Sequence, residues 1–362
     1  FELMKSYKIT LLPGDGIGPE ITNVTRNILE LISKKFDFEL KFTEMPFGGS
    51  AIESDGFPLP EKTLQECKNS DAVLLAAIGD PKYDNLPREK RPETGLLELR
   101  SSLDLFANIR PVKIIPSLTE ASSLKEEFVS QVDLVVVREL TSGIYFGEPK
   151  GRIKTKKGER AFNTMTYTSD EVIRIAEIAF RLAKQRNQKV CSVDKANVLD
   201  VSQLWREQTE LVSKNFKNVA LTHQYVDNAA MQLVRNPSQF DVILTSNLFG
   251  DILSDIAAML TGSIGMLPSA SLTKDGPGVF EPVHGSAPDI AGKDLANPIA
   301  MLLSAAMMLK IAFNEINAAN YLENTINEIL TEGYRTSDLM SNGIGKQVGC
   351  AQMGDILAKK LK

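Results

Sequence analysis

Histidine is nearly absent from this chain. His223 and His284 are the only two in 362 residues, which excludes a histidine-rich zinc site. Cysteine is scarce as well: Cys67, Cys191 and Cys350 are odd in number and far apart. Neither a disulfide framework nor a Cys-x-x-Cys metal site can be read from them, and a reducing compartment is expected. No basic run is present, and a formal net charge of −5 argues against a nucleic-acid partner. No apolar stretch reaches the length of a membrane span; the longest, 299–312, is short and carries Lys310. The opening residues lack a signal-peptide core and an Arg/Ser-rich transit pattern. A cytoplasmic location is therefore expected, or a plastid stroma if a transit segment has been trimmed. Phe1, Glu2 and Leu3 are expected to precede a native start at Met4.

What remains is ordinary for a globular enzyme, with 43% hydrophobic and 24% charged residues in a length that suits one large or two medium domains. Short apolar runs at 8–12, 72–77, 134–137, 190–193, 219–221 and 242–244 predict strands, several of them covered on both faces. Amphipathic runs at 20–34, 60–67, 170–184, 201–214, 227–234, 248–260, 298–315 and 320–330 predict helices, with a helix start at Ser169-Asp170-Glu171. Such alternation predicts an α/β architecture. Polar residues repeatedly follow the carboxyl ends of the strands, where α/β sheets bind ligands: Gly14 and Asp15, Arg138, Asp194 and Lys195, and Thr245 to Asn247. The Gly-, Lys- and Arg-rich stretch 143–162 reads as an exposed hairpin, either a subunit-clasping arm or a mobile loop.

The sharpest chemical signal is the pair Asp251 and Asp255 in an otherwise apolar helix. Four residues apart, they share a face. Two like charges in poor solvent raise each other's pKa or need a cation, and oxygen-only ligands suit Mg²⁺ or Mn²⁺. The same spacing also suits two acids near a helix start, satisfied by the dipole and by Asn247 as a cap. Arg100, Arg110 and Arg138 form a second group. Guanidinium forks hold carboxylates bidentately, so three on one cleft would suit a dicarboxylate, while ordinary ion pairing is the plainer use of Arg100. Lys195, at a strand end, can serve as a base if desolvated, or can simply pair with Asp194 or Asp200. Tyr145, flanked by glycines, can donate a proton or merely pack.

The opening glycines suggest a dinucleotide fingerprint, but Pro19 stands at the third glycine position and no acidic-tipped second strand follows, so a Rossmann reading is rejected. A phosphate-binding P-loop also fails, because no Gly-Lys-Ser/Thr follows. The loop 281–298 is rich in small residues, through Gly285, Ser286 and Ala287, which lets a flat ring and ribose approach the backbone. His284 can lie against an adenine. Asp289 can accept both ribose hydroxyls and would repel a 2′-phosphate.

Taken in order, 12–20, 138–147, 193–198, 247–255 and 281–298 resemble the isocitrate/isopropylmalate dehydrogenase family over nearly the whole chain. The resemblance implies a two-domain α/β fold with a mixed central sheet, distinct from Rossmann. One domain would comprise 1–105 and 262–362, and the other 106–261, with an arm at about 140–167. It implies NAD, a divalent Mg²⁺ or Mn²⁺, and a homodimer with shared active sites. Leu96 and Leu97 stand where isocitrate enzymes place a Ser and an Asn, which points to the branch that oxidatively decarboxylates 3-isopropylmalate. Isocitrate, homoisocitrate and tartrate are the nearest alternatives; a nonredox nucleotide-binding protein is the rival of another class. The implied roles follow. Arg100, Arg110 and Arg138 grip the substrate, with Glu93, Leu96, Leu97 and Val198 around its branched end. Lys195 and Tyr145 handle protons. Lys195, Asn197, Val198 and Asp227 reach in from a second subunit, where Asp227 joins Asp251 and Asp255 at the metal. Ile17, Glu93, His284, Gly285, Ser286, Ala287, Asp289 and Asn297 line the cofactor. Asp80 and Tyr83 depart from the family's usual Gly and Trp.

Overall fold

The computed structural model describes residues 4–341 and 343–362; the expectation about Phe1, Glu2 and Leu3 falls outside them. Two compact units form, one from Phe1–Leu105, Ile115–Ser123 and Thr261–Lys362, the other from Phe106–Ile114 and Leu124–Leu260. Residues 115–123 thus go with the first unit although they lie inside the range 106–261.

In chain order the first unit supplies β1 (Lys5–Gly14), α1 (Gly18–Lys35), β2 (Phe38–Glu44), α2 (Gly49–Asp55), α3 (Glu61–Asn69), β3 (Ala72–Ala77) and α4 (Pro92–Ser102). The second supplies β4 (Ala107–Lys113), α5 (Glu126–Val129), β5 (Asp133–Glu139), β6 (Gly151–Thr155), β7 (Gly158–Phe162), α6 (Ser169–Lys184), β8 (Lys189–Asp194), α7 (Asp200–Ser213), β9 (Ala220–Tyr225), α8 (Val226–Arg235), β10 (Val242–Thr245) and α9 (Asn247–Ala258). The first unit resumes with β11 (Pro268–Leu272), β12 (Gly278–Pro282), α10 (Ile299–Ile311), α11 (Ile316–Thr331), β13 (Tyr334–Arg335), β14 (Lys346–Gln347) and α12 (Cys350–Leu361).

Within the first unit the strands run β2-β1-β3-β12-β11. All neighbours are parallel except β11, which is antiparallel to β12. Every residue of β3 is buried, which is why its run reads as continuous rather than alternating. Helix α10 packs against β11, β12, α1 and α11. Its residues Ile299, Met301, Leu302, Met308 and Leu309 are all buried. The longest apolar tract is thus a core helix, hydrophobic nearly all round because its neighbours surround it. Among the described residues no helix is long and apolar enough to cross a membrane.

Within the second unit the order is β4-β5-β10-β8-β9, again parallel apart from β4. Helix α6 packs on β5, β8 and β10, and α9 on β4, β5 and β10. The start of α6 carries a full capping box: Thr168 and Glu171 each bond the other's backbone N–H. Strands β6 and β7 form the exposed antiparallel hairpin expected near 143–162.

Strands β2, β4, β11 and β12 and helices α4 and α12 escape the pattern of apolar runs. Strand β4 carries Asn108 and Arg110 buried among its apolar residues, so its hydrophobic alternation is broken by the residues it delivers. Strand β2 is half-exposed, and β11 is built from Pro, Ser, Ala and Leu. On helix α9 Ile252 is 51% exposed, and Met259, just past its end, 50%, so one apolar face is not covered by this chain.

All three thiols are buried and free. Burial pushes Cys67 and Cys350 up to about 12 and Cys191 to about 11. A thiol so raised presents almost no thiolate at neutral pH. The native protein is expected to leave Ellman's reagent unreacted at mildly alkaline pH, with all three thiols reacting in guanidinium chloride. Rapid native labelling of any one would show that its surroundings open.

Candidate active site

Three elements of the second unit bring charged groups together. Near the end of strand β5 lies Arg138, 1% exposed. A guanidinium at that depth needs compensation where it stands. Its Nη1 donates to Asp251 Oδ1 at 2.6 Å, and its Nε and Nη2 to Asn247 Oδ1 at 3.0 and 2.7 Å. From the adjacent strand β4, Arg110 donates through Nε to Asn108 Oδ1 at 2.7 Å and through Nη1 to Ser254 Oγ at 2.6 Å. Asp251 and Asp255 lie 3.9 and 3.7 Å from its terminal nitrogens. The turn after β5 supplies Tyr145, whose hydroxyl donates to Asp251 Oδ2 at 2.8 Å.

The two acids differ. The Asp251 carboxylate meets Arg138 and Tyr145 at hydrogen-bond distance, whereas the Asp255 side chain is 60% exposed. Desolvation raises the Asp255 carboxyl above its ordinary value; Arg110 opposes the rise and Asp251 adds to it. Asn247 does not cap α9: the N-cap is Ser246, and Asp251 lies beyond the first turn. The cap-and-dipole reading of this acid pair is therefore corrected, because Asn247 turns its side chain to Arg138 instead.

Behind the cluster sits Glu139, fully buried, accepting from the Thr141 and Ser142 amides at 3.0 Å each. Burial raises its pKa, and those amides oppose the rise. Tyr167 bonds Glu139, and its hydroxyl accepts the Asn247 backbone N–H at 2.9 Å.

Lys195 follows β8 and pairs with Asp227 at 2.7 Å. That hydrogen bond holds the Asp227 carboxyl below its usual range. The expected partners, Asp194 and Asp200, are not the ones used. Asp194 is taken by a bidentate contact with Arg206, 2.9 Å on both arms, and by the Ala196 amide. Asn197 and Val198 are exposed beside it. Among the described residues of one chain, Asp227 does not form a three-ligand group with Asp251 and Asp255. The group that does form is Glu20, Asp294 and Cys350; its acids already serve backbone amides, Asp294 that of Ala351 and Glu20 that of Gly292.

In the first unit the glycine-rich opening is occupied by its own chain. The Asp15 carboxylate accepts from the amides of Gly49, Ser50 and Gly79, each at 2.8 Å. Ile17 N–H donates to Ser286 O at 2.8 Å, and Ser286 Oγ to Gly79 O at 2.5 Å. Gly16 has φ 56, and a Cβ there would collide with the Ser286 carbonyl. The opening thus joins β1 to the loop 281–298 rather than offering a row of free amides to phosphate. Asp80 caps the turn at Pro81–Tyr83, and the Tyr83 hydroxyl reaches Gly49 O at 3.1 Å, so both departures from the family pattern have local partners.

On the loop 281–298, His284 Nδ1 lies 2.8 Å from the Gly285 carbonyl, while Nε2 is buried without a partner. Burial lowers its pKa, so the ring is neutral. Gly285 and Asp289 are exposed, Ala287 half-buried, and Asn297 is buried with Nδ2 on Asp338 at 3.0 Å. On α4, Leu96 and Leu97 are half-buried and Glu93 is exposed, its carboxylate beside Gly79. Arg100, in the same unit, is buried and meets Glu281 at 3.2 Å, with Nε lacking a partner.

The second unit therefore brings together Arg110, Arg138, Tyr145, Asp251 and Asp255, and separately Lys195 with Asp227. Sequence reasoning missed Asn108, Ser254, Glu139, Tyr167 and Asp338, and missed Asn247 as a partner of Arg138. Their signal is faint: a polar residue interrupting an apolar run reads equally well as a turn.

The sequence profile of the isocitrate/isopropylmalate dehydrogenase family matches residues 8–357. The 3-isopropylmalate dehydrogenase of Prochlorococcus marinus (strain NATL2A) is 86% identical over 359 residues, 99% of this chain and 100% of that protein. That of Synechococcus sp. (strain CC9902) is 63% identical over 99% of this chain. Among solved structures, isocitrate dehydrogenase from Methylococcus capsulatus is similar with a TM-score of 0.88 and 34% identity, covering 98% of this chain and 99% of its own.

Gly250 tests the packing of the cluster. A Cβ there would lie 2.7 Å from Arg138 Cγ and 3.0 Å from Thr245 Cγ2. Gly250→Ala is expected to cost about 1–3 kcal/mol in urea unfolding by overpacking. An unchanged midpoint would show that the Arg138 stem yields freely.

Proposed function

Because this chain belongs to the isocitrate/isopropylmalate dehydrogenase family, we propose the following account of its chemistry. It catalyses the oxidative decarboxylation of 3-isopropylmalate to 4-methyl-2-oxopentanoate, a step of leucine biosynthesis. The observation that carries this is the 86% identity, over the full length of the relative, to a 3-isopropylmalate dehydrogenase.

NAD is the proposed acceptor. The exposed Asp289 offers a carboxylate to ribose hydroxyls and would repel a 2′-phosphate, and the buried, unpartnered Nε2 of His284 suits an N–H or hydroxyl donor. Ile17, Gly285, Ser286, Ala287, Asn297 and Glu93 complete the proposed cofactor lining. Asp251 and Asp255, with Asp227 from a second copy of the chain, are the proposed ligands of Mg²⁺ or Mn²⁺; their all-oxygen donor set fits a hard cation. When bound, the ion supplies positive charge against the electron density that develops on the substrate oxygens, and NAD accepts the hydride.

The chain's own residues do the rest. Arg110 and Arg138, each braced by neutral side-chain oxygens, hold a substrate carboxylate with little rearrangement. Arg100 has one buried N–H in hand for the same task. Lys195 removes the hydroxyl proton, as a base directly or through water, with Asp227 orienting its amine. Tyr145 delivers a proton to the enol once carbon dioxide has left. Leu96, Leu97 and Val198 give the isopropyl group an apolar wall, and that wall offers a third carboxylate no partner.

We also infer a homodimer. Met231 (61%) and Val234 (51%) on α8 stand exposed, as do Ile252 on α9 and Met259 just past its end, and the two helices pack together. So much uncovered apolar surface marks an interface. A cytoplasmic location is supported by the cyanobacterial relatives.

Steady-state reduction of NAD is expected with 3-isopropylmalate and Mg²⁺, and not with isocitrate or tartrate, nor after chelation. Lys195→Met and Asp251→Asn should each lower turnover by about 100-fold or more with the fold intact. Near-normal turnover in either removes that residue from the mechanism, and full activity after chelation removes the ion.

Met231→Glu combined with Ile252→Glu should give a monomer by light scattering and abolish turnover. A dimer of unchanged mass would place the interface elsewhere.

A further inference from the structure

Asn247 is the first residue of α9, where Asn is a poor helix former; Ser246 holds the N-cap position but its side chain makes no capping bond. It is nonetheless 1% exposed, and its amide is engaged at both ends. Oδ1 receives Nε and Nη2 of Arg138; Nδ2 donates to the carbonyls of Leu140 at 3.1 Å and Ser142 at 3.0 Å. The orientation of the amide is therefore fixed. A flip would set an NH₂ against a guanidinium and an oxygen against two carbonyls, and neither pair can hydrogen-bond. Its backbone N–H is tied to Tyr167, which is tied to the buried Glu139.

We infer that Asn247 is a positioning residue for substrate binding: by taking two N–H groups on one edge of the Arg138 guanidinium, it sets the plane in which that group meets the substrate carboxylate. The inference rests on the reading that Arg138 holds that carboxylate. A guanidinium is a rigid planar fork, and its bidentate recognition depends on the angle of that plane. Asp251 holds Nη1 and the Tyr145 ring lies 5.9 Å from the guanidinium carbon. Asn247 adds the contact that engages two N–H groups along one edge, which ties the orientation of the plane to α9. The oxygen that does this is neutral, so, unlike Asp251, it does not offset the charge of Arg138.

The test is a double-mutant cycle on the KM for 3-isopropylmalate, with Asn247→Ala, Arg138→Lys and the pair, each checked by thermal unfolding. Asn247→Ala is expected to raise that KM about tenfold, the scale of one hydrogen bond to a charged group, while the KM for NAD stays within about twofold. In the pair, Asn247→Ala should add little to Arg138→Lys, because the two act through one contact. Should the alanine variant not fold, Asn247→Ser, too short to span the same edge, takes its place in the cycle. If Arg138→Lys raises KM but Asn247→Ala does not, or if the two effects multiply, Asn247 is only a structural tie and the inference is overturned. If Arg138→Lys itself leaves KM unchanged, the assignment of Arg138 to the substrate fails instead.

Discussion

A fully buried guanidinium at the end of a strand constrains everything around it. Removing Arg138 from water costs several kcal/mol unless its charge and donors are met. Asp251 meets the charge and Asn247 the far edge. Both lie on α9, so the helix must pack close to β5, and it can do so only because Gly250 has no side chain to collide with the Arg138 stem. Asn247 in turn needs carbonyls for its NH₂, which the turn at Leu140 and Ser142 provides. That turn is shaped by Glu139 gathering the amides of Thr141 and Ser142. One buried cation thus accounts for the close approach of a strand, a turn and a helix start.

The same logic explains which features were legible in the residues. The buried strands announce themselves as apolar runs, so 72–77 matches β3 residue for residue, and β5, β8 and β10 differ only at their ends. Most helices with one apolar stripe were equally plain, α12 being the exception. Strand β4 was not, because its task is to carry Asn108 and Arg110 into the interior, and polar residues at buried positions erase the period on which strand recognition depends. The Asp251–Asp255 pair stood out because acids are rare in apolar helices. Their supporting amides and hydroxyls did not, because Asn and Ser are common in turns, and no local pattern distinguishes an Asn that braces an arginine from one that caps a helix. Partners distant in sequence, such as Asn247 and Arg138, become visible only when the sheet brings β5 and β10 side by side.

The glycine-rich opening shows the converse. Its composition invites a phosphate-loop reading, yet the physical use of Gly14 and Gly16 is to let backbone pass close to the Ala77 and Ser286 carbonyls. Asp15 then does what a bound anion does in a phosphate loop, gathering amides from three places. A loop that supplies its own anion repels a second one. The rejection of a dinucleotide fingerprint, made on Pro19, therefore has a stronger reason in the carboxylate one turn earlier.

The acids of α9 and the pair Lys195–Asp227 answer different needs within one unit. The Asp251 carboxylate accepts from Arg138 and from Tyr145. At a site open to solvent, the Asp227 carboxyl is held below its usual range chiefly by the Lys195 hydrogen bond, with backbone amides adding to it. A cation drawing on Asp227 would compete directly with Lys195 for that carboxylate. In the proposed dimer Asp227 of one copy meets Asp251 and Asp255 of the other, so the carboxylate that holds the Lys195 amine would also serve the ion. Sharing acids between subunits then couples assembly to chemistry.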